Sequence, residues 1–135
     1  MKTHPDLYEE SIELEDLVKE YTSSKKYKEL EKCLIRLVDV YNSLNYCEED
    51  EYIEELIETH LKLINIYLID DNKKKIIKNY YSILECYDIL IQNDRNEEDL
   101  IKKYIEKVRE INIELIKFNN SFDIRKEFPR LKQYI

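Results

Sequence analysis

Not one of the 135 residues is glycine, and alanine is missing as well. Glycine enters left-handed backbone without steric cost, so its absence removes whole classes of fold and site. Phosphate-cradling loops, dinucleotide-binding turns and nucleophile elbows all need backbone that a side chain would block. Two-residue hairpin turns lose their preferred residue, which argues against a sheet protein. The sequence predicts an all-α chain, read as one helical domain over residues 1–135.

Charge does not make such a chain disordered. Charged residues are 39% and hydrophobic ones 43%, and 19 Ile with the Leu and Tyr can fill a core. The net charge of −8 argues against direct nucleic-acid contact, which needs a basic face to displace counterions from phosphate. The longest apolar run, 61–69, is interrupted by Lys62 and Asn65, so no membrane span is expected. The opening residues run straight into acidic helix-like sequence, with no secretory pattern. Cys33, Cys47 and Cys86 are odd in number and never form a CxxC pair, which reads as reduced thiols in a cytoplasmic protein.

Apolar residues recur at helical spacing nearly throughout, predicting about six antiparallel helices. Leu7, Leu14, Leu17 and Tyr21 mark the first, with Thr3 as its cap; Tyr27, Leu30, Leu34, Leu37, Tyr41 and Leu44 mark the second. Ile53, Ile57, His60, Ile64 and Tyr67 mark a third, opened by acids that suit a helix N-terminus. Asp70-Asp71-Asn72 breaks the chain before a fourth helix that starts on Lys73 and carries Ile76, Tyr80, Ile83, Tyr87 and Leu90. A fifth follows on Ile101, Tyr104, Val108, Ile111, Leu115 and Phe118. A short sixth holds Ile124, Phe128 and Leu131, with Pro129 bending or shortening it. Short connections favour three hairpins, about 6–44, 49–92 and 97–134, as a stack or a plain bundle.

The steps 3, 4, 6, 3, 4, 3 that run from Leu14 to Leu37 recur from His60 to Ile83 and from Val108 to Leu131. This pattern resembles the tetratricopeptide repeat, with Tyr21, Tyr67 and Tyr27 where that family often has Tyr. The units here start 46 and 48 residues apart, longer than the family's repeat of about 34. Val18 and Ile64 stand where Gly is usual, and Leu30, Leu37, Ile76 and Ile83 where Ala is usual, so the helices must pack further apart. The resemblance implies that first helices line a concave face. Residues beside the packing stripe would then face a partner: Ile12, Glu15 and Lys19; Glu58, Leu61, Asn65 and Leu68; Arg109, Ile113 and Ile116. Residues 1–22 sum to −5 and residues 46–71 to −8, so the implied face is acidic.

Chemistry-bearing residues are sparse. His60 lies on an apolar stripe with Ile57, Leu56, Leu63 and Ile64 one turn away, which reads as a core histidine rather than a ligand. Glu55, Glu58, Glu85 and Asp88 resemble the ExxE…ExxD pattern of all-α nucleotide pyrophosphohydrolases, which hold Mg²⁺ between helices. At 100° per residue, however, these acids project opposite the apolar stripes. No Ser or Cys has a His placed to activate it. No catalytic residue and no cofactor is therefore expected.

The sequence thus points to a non-catalytic interaction module or adaptor that binds a basic or amphipathic protein through an acidic helical face. A small acidic inhibitor that occludes a nucleic-acid-binding enzyme is the alternative, and a Mg²⁺-dependent hydrolase a more distant one. The same face could serve a homodimer.

Overall fold

The computed structural model describes residues 4–135, so the expected Thr3 cap lies outside the described residues. The chain is all-helical, with no strand among those residues: α1 (His4–Ser23), α2 (Tyr27–Cys47), α3 (Ile53–Ile69), α4 (Lys73–Asn93), α5 (Glu98–Phe118), α6 (Ile124–Glu127) and a 3-10 helix (Pro129–Tyr134). It divides into two compact units, Met1–Asp71 and Asn72–Ile135.

In the first unit α1 packs on α2, and α2 on α3. The 3–4 spacing on α2 places Leu34, Leu37, Val40 and Leu44 wholly out of solvent, while Tyr27 stays exposed. On α3, Ile53, Leu56, Ile57, Leu63, Ile64, Ile66 and Tyr67 are buried, and His60 lies among the buried residues. The apolar stripe of α1 is rotated from its expected position. Leu7, Ser11 and Val18 are buried, whereas Leu14, Leu17 and Tyr21 are only half-buried. At 100° per residue the three buried positions fall within about 40° of one another, and Leu17 lies far to one side.

Ser11 is the one serine of α1 that is buried, and a small side chain there lets a neighbouring helix come close in a chain without Ala or Gly. Its hydroxyl donates to the Tyr8 carbonyl at 2.6 Å, so burial strands no polar group. Buried Thr59 and Asn79 use the same device, donating to the carbonyls of Glu55 and Lys75, each at 2.8 Å.

Helix ends still require left-handed backbone. Lys25, Glu49, Asp50 and Asp71 supply it, at φ of 56°, 48°, 68° and 50°. Glycine usually takes such places, and a residue with a Cβ costs about 1 kcal/mol more there. The strained turn after α2 is secured from within: the buried Asn45 side chain accepts the backbone N–H of Tyr52. Beside it, His4 Nε2 lies 2.7 Å from Glu48 Oε1.

In the second unit α4 packs on α5 around Ile76, Ile83, Leu84, Ile91, Val108 and Leu115. The side chain of Asn72 caps α4 by accepting from the Lys75 backbone N–H at 3.3 Å. Beyond α5 the chain forms only short helices, and Pro129 opens the last of them, where its missing N–H costs nothing. Tyr81 of α4 meets Phe122 edge-on at 5.1 Å and Phe128 at 5.9 Å. Arg130 donates through Nε and Nη2 to Asp88 Oδ2, at 3.1 and 2.9 Å, and pins the C-terminal segment to α4.

Candidate protein-interaction face

The first unit brings two acidic helices together over one tyrosine. Tyr41 rises from α2, donates its hydroxyl to Glu15 Oε1 on α1 at 3.1 Å, and stacks on Tyr52 at a ring separation of 6.0 Å. Glu55, in the first turn of α3, stands close enough to feel both Glu15 and Tyr41. Glu55 remains accessible, yet partial burial pushes its carboxyl above the ordinary carboxylate range. A hydrogen bond to its own backbone opposes the shift, and the charges of Glu54, Glu51 and Glu15 reinforce it. Burial, then the Glu15 charge and hydrogen bond, drive the Tyr41 hydroxyl strongly upward. No ion pair neutralises Glu15 or Glu55 among the described residues.

The residues singled out from sequence fall as follows. Glu15 is half-buried on Tyr41, and Lys19 is exposed one turn further along α1. Glu58, Asn65 and Leu68 are exposed on α3, with Leu61 half-buried between them. Arg109 and Ile113 are exposed on α5 in the second unit, where Arg109 Nη2 donates to the Tyr134 carbonyl at 3.4 Å. Glu85 is exposed, while Asp88 is buried and committed to Arg130 and to Gln92, whose Nε2 donates to Oδ1 at 3.4 Å. Among the described residues no group of three or more His, Cys, Asp or Glu is placed to hold a metal ion.

The other flank of α1 holds what the sequence reading missed. Asp6, Glu9, Glu10, Glu13, Leu14 and Leu17 line an open concavity of about 460 Å³. Both leucines are half-buried, Leu14 at the edge of the buried stripe and Leu17 further round the helix, and each leaves part of its side chain on this wall. Arg36 of α2 forks onto Glu10 there, with Nε 2.6 Å from Oε2 and Nη2 2.8 Å from Oε1. The signal in the sequence was Val18, an apolar residue one step off the supposed stripe.

Comparison with known protein families, with curated proteins and with solved structures finds no match. No helix among the described residues is long and apolar enough to cross a membrane.

Proposed function

We propose that this protein is a non-catalytic interaction module whose first unit binds a basic segment of another protein on the face shared by α1 and α3. The observation that carries this reading is the setting of Tyr41, which bonds Glu15 of α1 and stacks on Tyr52, three residues before Glu55 of α3, with no ion pair to either carboxylate among the described residues. Like charges held together work against folding, and an arriving Lys or Arg turns that repulsion into binding. Tyr52, half-buried and stacked on the buried Tyr41 ring, offers the aliphatic stem of such a side chain an aromatic surface near the carboxylates. The summed charge of −8 speeds the encounter with any basic protein. The tetratricopeptide-like spacing supports the same face, since in that architecture first helices line the binding surface.

The test is affinity capture from the native source with the intact chain and with a Glu15→Gln/Glu55→Gln bait. A specific partner should be held at low ionic strength, be released by roughly 0.5 M salt, and be absent from the variant bait. Equal capture by both baits, or capture indifferent to salt, would contradict the proposal. Recovery of a nucleic-acid-binding enzyme that the protein then inhibits would place the same face in an inhibitor.

A further inference from the structure

The concavity on the outer flank of α1 has the form of a docking groove, and its chemistry selects an occupant. Half-buried Leu14 and Leu17 leave part of their apolar surface open here, and acids surround it: Asp6, Glu9, Glu10 and Glu13. From Asp6 to Leu17 the helix advances about 16 Å, the length of three turns of a partner helix. Glu9 and Glu13 are exposed and one turn apart, a spacing that two basic residues at i and i+4 would match. The molecule carries its own example of the required contact, because the Arg36 guanidinium already grips Glu10 with two donors. A planar fork suits this geometry better than an ammonium does.

We infer that this groove docks an arginine-bearing amphipathic helix from another protein, its apolar side on Leu14 and Leu17 and its guanidinium groups on Glu9 and Glu13. Charge complementarity points to such a partner rather than to a second copy, whose own α1 would bring another row of acids. The site lies on the opposite flank of α1 from Glu15 and does not depend on the α1–α3 face.

The experiment is calorimetric titration of the full chain with a synthetic helix-forming peptide of about 14 residues. The peptide has Leu on one face and Arg beside it, and a counterpart replaces every Arg with Glu. The Arg peptide should bind and its Glu counterpart should not. Glu9→Lys/Glu13→Lys should weaken binding by about tenfold or more, and Leu17→Ser by several fold. The titrations are repeated in a Glu15→Gln/Glu55→Gln background, which takes the α1–α3 face out of the readout, so failure here and failure there are told apart. Glu9 and Glu13 are exposed, so the lysine variants keep the test valid even if Leu17→Ser disturbs folding, which circular dichroism would reveal. The inference is overturned if the Arg peptide fails to bind the Glu15→Gln/Glu55→Gln background, or if the groove variants do not alter binding in it. Sedimentation of the chain alone decides the last rival: a dimer dissolved by Leu17→Ser would assign the groove to a second copy and overturn the inference.

Discussion

The Tyr41 hydroxyl donates to Glu15 Oε1 at 3.1 Å and so joins α2 to α1. A hydrogen bond to a charged acceptor is worth about 1.5–3 kcal/mol when well shielded, and the half-buried setting places this one near the lower end. Tyr41→Phe should therefore lower stability by about 1.5 kcal/mol in urea unfolding. Glu15→Gln should cost less, because the amide oxygen still accepts.

The acid pH profile has a defined sign. The Glu55 carboxyl is held above its ordinary value in the folded protein, so between that value and the folded one the native state holds more protons than the unfolded state. Its contribution to stability is complete below the ordinary glutamate range and is lost as pH rises through the folded value. Glu55→Gln should raise the urea midpoint at neutral pH, and the gain should vanish in acid. A gain that persists unchanged at low pH would mean that carboxylate repulsion is not its cause.

Thiol chemistry should sort the three cysteines by depth. Cys86 is buried and its thiol is pushed up to about 12, first by burial and then by the Glu85 charge. Cys47 is exposed and Cys33 intermediate. A disulfide reagent at neutral pH should modify Cys47 at once, Cys33 slowly, and Cys86 only on unfolding. The same shift makes stability fall as pH climbs from the ordinary thiol value toward 12, because only the unfolded state then ionises.

Removing Arg130 should loosen the C-terminal segment. Asp88 is buried, and without its partner the charge stands uncompensated, a loss of about 3 kcal/mol in a closed site. Arg130 itself is largely exposed, so about 2 kcal/mol is the expected cost of Arg130→Ala. Limited proteolysis should show earlier cleavage beyond Asn119 in that variant, and Asp88→Asn should be milder.

The left-handed helix ends should be improvable. Lys25→Gly should stabilise by about 1 kcal/mol, and Asp71→Gly by less, since Asp tolerates that region better than Lys. Thermal melts of the two variants measure the difference directly.

Helix positions were legible in the sequence because breaks coincide with local chemistry. Tyr27 and Lys73 open their helices where the spacing placed them, and Pro129 divides the last segment. The face of α1 was not legible, because Leu14 and Leu17 outscore Ser11 on any apolar count. The buried face is set where α1 packs on α2, a property of the pair rather than of one helix. The absence of glycine excluded loops and hairpins, yet it did not exclude left-handed residues, which Lys, Glu and Asp supply at helix ends. Glu15 was legible as a candidate, but its tie to Tyr41 was not, since 26 residues separate them. Glu55 belongs to the ExxE…ExxD spacing in sequence, whereas in the fold its electrostatic neighbours are Glu15 and Tyr41.

The most direct test follows the Glu55 carboxyl by NMR titration in the Glu9→Lys/Glu13→Lys chain, where the groove is closed to basic peptides, alone and with a saturating arginine-rich peptide. In the free protein its midpoint should lie above that of an ordinary glutamate. If a basic partner binds between Glu15 and Glu55, the peptide should pull that midpoint down and shift the Glu15 signal with it. A midpoint that stays where it was while the peptide binds elsewhere would contradict the assignment of this face.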